Sequence, residues 1–150
     1  MAYEITTKEL EGLSEDQQVA IMESLIMAVI ADHKATSTET KKLDDELNAV
    51  PWTLPPAKVM EHLLDARTRI VGFKTPAEAV SLIQQIAERL PDPVLREKLF
   101  HAMASIMEVD GGLNADAKNL LGVYVHAFGL TGVQIDAIKA DIKAAAQLSH

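Results

Sequence analysis

The sequence predicts an all-α fold, a compact bundle of about seven helices containing two pseudo-symmetric helical hairpins. Three observations predict it. Apolar residues recur at spacings of three and four, as at Met22, Leu25, Ile26 and Val29. No stretch shows the strict period-two alternation and β-branched enrichment of a strand. Helix breakers and capping residues then divide the chain at helix-sized intervals. With 150 residues and 16.3 kDa, the chain is one domain, 1–150. That length buries a core without disulfides or a structural metal. Residues 1–13 are expected to form a loosely packed N-terminal segment.

The first helix, roughly 15–31, opens with Ser14-Glu15-Asp16-Gln17. This is a capping box: the Ser14 hydroxyl accepts from a first-turn amide and Gln17 reaches back. Met22, Leu25, Ile26 and Val29 mark one buried stripe on it. The second, roughly 37–49, is capped by Thr36, with Glu39 three residues on, and is stopped by Pro51. The third starts near Pro56 and runs to about Ile70. The fourth opens with Thr75-Pro76, where proline at the first helical position loses no hydrogen bond, and ends before Pro91. Asp92-Pro93 repeats that opening for the fifth, which runs to about Glu108 with Leu95, Leu99, Ala102, Met103 and Ile106 inward. The sixth spans about 115–128, capped by Asn114 and ended by a left-handed Gly129. Thr131 to Gln134 caps the seventh, with Val133, Ile135, Ile138 and Ile142 as its apolar face. Trp52, in PWTLPP, is expected to cover the edge of the core.

An echo runs through the chain at an offset of 78 residues. IMESLIMAVIAD, from Ile21, and LFHAMASIMEVD, from Leu99, are both apolar helices ending in an aspartate, Asp32 and Asp110. Each continues into a short polar link, a capping residue and another helix, with Leu43 matching Leu121 and Leu47 matching Val125. Two such hairpins present the same stripe to each other and tend to pack about an approximate two-fold axis, which would bring the two aspartates to one end of the bundle.

Composition excludes several functions. The chain has no cysteine, so disulfides, Cys-ligated zinc, iron–sulfur clusters and thiol nucleophiles are ruled out. A net charge of −8 and 4% aromatic residues make nucleic acid a poor partner. The first twelve residues have no apolar run and do not read as a secretory signal. The longest apolar stretch, 25–31, falls far short of the ~20 residues of a membrane span. A soluble, cytoplasmic protein is therefore expected. Catalysis finds no support: there is no GxSxG, no HExxH and no glycine-rich phosphate loop. Of the histidines, His101 is expected on the polar side of its helix and His33 in an exposed turn. Met22, Met27, Met103 and Met107 are expected as core packing.

What chemistry there is gathers at the two links. Asp32, Glu39, Asp110 and Asp116 place hard oxygen donors around tight inter-helix turns, the ligand type that calcium and magnesium take. Helix capping accounts for the same residues equally: Glu39 completes the Thr36 box, and Asp116 is favourable near a helix N-terminus in any case. An EF-hand does not account for DGGLNADAKNLL, because its sixth position is Ala115 instead of glycine and its twelfth is Leu121 instead of glutamate.

The links carry a resemblance. AVIADHKATSTE and SIMEVDGGLNADA are similar to the paired motifs of the TerB-like superfamily, in which an apolar helix ends in Ala-Asp-Gly before a capping residue and a glutamate in the next helix. Asp32, Ala35, Thr36 and Glu39 match in the first copy, where His33 replaces the glycine. Asp110, Gly111, Leu113 and Asn114 match in the second, where Ala117 replaces the glutamate and Asp116 is its acidic neighbour. The resemblance covers about residues 15–148. It implies a non-enzymatic, stress-associated protein of the tellurite-resistance type, working with protein partners in membrane-linked complexes. It also implies a weak divalent-cation site at Asp32, Glu39, Asp110 and Asp116. The alternative is a protein-binding adaptor without a metal site, in which those residues are caps and an exposed apolar patch carries the function.

Overall fold

Between Glu15 and Ile30 the sequence places apolar residues on every side of a helix, and such a helix must be covered all round. The computed structural model bears this out. It describes residues 3–30, 37–108 and 115–148, apart from the side chains of 37–40, Lys42, Glu108, Asp116 and 146–148. Among these residues there are eight α-helices and no strand: α1 Thr7–Leu10, α2 Glu15–Ile30, α3 Ser37–Ala49, α4 Pro56–Val71, α5 Pro76–Arg89, α6 Pro93–Glu108, α7 Ala115–Phe128 and α8 Gly132–Leu148. Every residue of α2 from Gln18 to Val29 is buried. The single stripe expected on this helix is thus one face of a central rod, packed by α3, α4, α5 and α6.

The second hub is α6, which packs on α2, α3, α7 and α8. Leu95, Leu99, Ala102, Met103 and Ile106 of α6 are buried as expected, as are the four core methionines. The 78-residue echo extends beyond one hairpin. Both ends of α2 recur that far along the chain at the ends of α6, and the start of α3 recurs at the start of α7. The third members also correspond, because α4 packs on α2 as α8 packs on α6. The molecule is built on two three-helix units whose first helices lie against each other.

Capping follows the sequence where the residues are described. The Ser14 amide donates to Gln17 Oε1 at 2.9 Å and the Gln17 amide donates to Ser14 Oγ at 3.2 Å. Thr131 and Gln134 make the same reciprocal pair at 2.8 and 3.2 Å. Gly129 has φ +69° and ends α7 with two back-bonds: its amide reaches the His126 carbonyl and the Leu130 amide reaches that of Val125. This is the Schellman arrangement, and its φ favours glycine. Trp52 lies against the core and donates its indole N–H to the Leu47 carbonyl at 2.9 Å.

Three expectations change. The N-terminal segment contains a short helix, α1, and sends Ile5 and Leu10 into the core. His101 is only partly solvated: its ring stacks on Tyr3 with centroids 4.5 Å apart, and its Nε2 meets Asp141 at 2.7 Å. The N-terminal segment brings Tyr3 there, while an ion pair from Glu9 to Lys98 fastens α1 to α6. Val133 is 80% exposed, because α8 turns Ile138 and Ile142 to the core instead.

Candidate functional site

Asp32 and Asp110, with the capping residues Thr36 and Asn114 and with His33, lie outside the described residues. Glu39 falls in the first turn of α3 and Asp116 in the first turn of α7, with their side chains outside the described residues. Among the described residues, no group of three His, Asp or Glu side chains stands close enough together to hold a metal ion.

Two other features stand out around α4. The first is a cleft of about 770 Å³ between α2, α4 and α5, with Glu23 at its floor. This carboxylate is only 1% exposed. Its Oε2 accepts from Arg69 Nη1 at 2.8 Å and its Oε1 from Arg89 Nη2 at 2.7 Å. A buried carboxylate needs such charge-assisted partners, and here it has two. Arg89 also donates to the Asp16 carbonyl at 3.2 Å, while its own carbonyl accepts from Gln17 Nε2 at 2.8 Å. Arg69 donates through Nε to Asp65 at 3.3 Å. Burial pulls the Arg69 guanidinium down, but the hydrogen bond and charge of Glu23 outweigh it and hold the group above its ordinary value. At the rim, His62 Nε2 meets Glu15 Oε2 at 2.5 Å, and that hydrogen bond holds the Glu15 carboxyl below its ordinary value.

The cleft's floor is chemically saturated. Both oxygens of Glu23 are engaged, so it is neither a free base nor a free ligand. Among the described residues, no serine or threonine lines the cleft beside His62. The arrangement is a strut in which one carboxylate of the central helix ties down α4 and α5.

The second feature is the outer side of α4. At 3.6 residues per turn this helix turns Ala66 and Ile70 to the core and His62, Asp65 and Arg69 to the cleft. Its remaining side carries Met60, Leu64 and Val71, which are 57%, 57% and 60% exposed. These residues fall within a narrow arc of the helix, which Arg67 shares between Leu64 and Val71. Beside it runs a groove of about 150 Å³ floored by Ile26, Val29 and Ile30 of α2 and walled by Leu43 and Leu47 of α3. Leu63, Leu64 and Arg67 of α4 form its other wall. Arg67, at the lip, has no hydrogen-bond or ion-pair partner among the described residues.

Comparison of the chain with protein-family models, with curated proteins and with solved structures finds no match.

The adaptor alternative expects an exposed apolar patch without placing it, and the buried ion-paired carboxylate is not expected at all, although both left traces in the sequence. Glu23 interrupts the apolar run IMESLIM, and a carboxylate in an all-round apolar helix must find a cation. Met60, Leu64 and Val71 keep helical spacing on a side separate from the inward set Ala66 and Ile70.

Proposed function

We propose that the chain is a non-enzymatic, cytoplasmic helical binding domain that docks a protein partner on the outer face of α4. The observation that carries this reading is the line of Met60, Leu64 and Val71, exposed on one arc of α4, where Leu64 also lines the groove beside Leu43 and Leu47. Single exposed apolar residues are ordinary on protein surfaces, whereas three in register beside an apolar groove mark a contact surface. The saturated floor of the cleft supports the non-enzymatic half of the reading, since Glu23 is committed to Arg69 and Arg89. The similarity of the two links to TerB-like motifs supports a stress-associated, tellurite-resistance-like setting, and the paired three-helix units are in keeping with it.

The test compares the wild type with M60S/L64S/V71S by size-exclusion chromatography of cell extracts. These side chains are already more than half exposed, so the variant should unfold at the wild-type temperature within a few degrees. It should elute as the free chain while the wild type elutes in a complex, with or without a chelator. A complex that survives the three substitutions but dissolves on chelation would overturn the reading. It would favour a calcium or magnesium site at Asp32, Glu39, Asp110 and Asp116 instead.

A further inference from the structure

Resting on that docking surface, the geometry points to one kind of occupant: we propose that the α4 face takes an amphipathic helix of a partner protein that seats an apolar side chain in the groove and sets a carboxylate against Arg67. Three observations carry this. From Met60 to Val71 the exposed line runs about 16 Å at ~1.5 Å per residue, three turns of a facing helix. The groove is apolar and close to 150 Å³, enough for one leucine- or ring-sized group, since a void of ~150 Å³ lined by such residues accommodates benzene. The cation at its lip, Arg67, has no partner among the described residues, and a guanidinium beside apolar surface selects a carboxylate over a neutral or basic neighbour.

A helix fits better than an extended peptide. Strand addition needs a free sheet edge, and the described residues contain no sheet. An anionic membrane is disfavoured by the chain's net charge of −8. That same charge draws basic peptides to the molecule as a whole, so a preference for an acidic helix has to arise locally, at Arg67.

The probes are three synthetic helical peptides of about 15 residues, long enough to span the line. They share one stripe of leucines and an otherwise neutral polar face, and differ at a single position on the flank of the stripe: Glu, Gln or Lys. Titration is followed by the backbone amide NMR of the full chain. Shifts are expected on residues 43–47 and 60–71. The Glu peptide should bind about two- to fivefold more tightly than the Gln peptide, and the Lys peptide more weakly still. In Arg67→Glu the order should reverse, with the spectrum elsewhere unchanged.

Equal affinities that ignore Arg67→Glu would overturn the carboxylate assignment and leave the docking reading standing. Shifts centred away from α3 and α4, or none with any peptide at millimolar concentration, would overturn both. Binding to phosphatidylglycerol vesicles through the same residues, with no peptide response, would overturn the helical partner in favour of a lipid surface.

Discussion

Glu23 shows what the sequence makes legible at the scale of one residue and what it hides. Its position amid Ile21, Met22, Leu25 and Ile26 announces a buried charge. Its partners lie 46 and 66 residues away, and no local pattern links them to it. Losing one guanidinium should be tolerable, because Glu23 keeps the other and because Arg69 is 44% exposed and already shares its charge with water. We expect Arg69→Gln and Arg89→Gln to cost about 1 kcal/mol each. The double variant should cost about 3–5 kcal/mol, more than their sum, because it strands a buried carboxylate. Urea unfolding of the four proteins checks this, and additive costs would mean that Glu23 reaches water when unpaired. Glu15 carries a pH prediction. Its carboxyl is lowered by the His62 hydrogen bond, so the pair contributes stability above the ordinary carboxylate range, at about pH 4.3, and loses it as pH falls through the lowered value. In His62→Gln the Glu15 side chain, followed by NMR, should titrate closer to its ordinary value. An unchanged titration would place the cause elsewhere.

Helix ends were the most legible part of the fold, because caps and stops are local chemistry. The Ser14 and Thr131 boxes and the Gly129 stop all form where the sequence places them. Gly129→Ala meets no neighbouring atom within 4 Å, so its cost is the left-handed backbone alone, about 1 kcal/mol by thermal unfolding. A far larger loss would show that Leu130 had also lost its place against the core. Which side of each helix faces inward was less legible. On α8 the apolar set Val133, Ile135, Ile138 and Ile142 is wider than the face that packs, and Val133 is left in solvent. On α4 the excess apolar residues form the line proposed as the docking face. The partial cover of His101 has a tertiary reason: Tyr3 and Asp141, which flank it, come from opposite ends of the chain.

For the whole molecule, the all-α class and the 78-residue echo were both readable. The echo reflects a real correspondence of elements, α2, α3 and α4 with α6, α7 and α8. The candidate site was not readable in the same way. Sequence drew attention to the acidic links, where charge and turn residues cluster, whereas the exposed face depends on which side of α4 its neighbours leave uncovered. Alkaline titration probes the integrity of the assembled bundle. Burial pushes the phenol of Tyr124 far above its ordinary value of 10.0, and that of Tyr3 is raised as well. Stability supplied by the protonated form of Tyr124 is complete below about pH 10 and declines above it, when only the unfolded chain releases this proton. Of the two tyrosines, Tyr3 should therefore ionise in the folded chain, while the Tyr124 share of the tyrosinate absorbance should rise only together with unfolding. A folded-state step that accounts for both tyrosines would mean that Tyr124 reaches water.

The central claim is that the apolar face of α4 exists for a partner, and photo-crosslinking in the cell tests it most directly. A crosslinking residue replaces Leu64 in one protein and Val133 in another, both positions being exposed and apolar. The account predicts one discrete crosslinked protein from position 64 and none from position 133. The same diffuse set of products from both positions would contradict it.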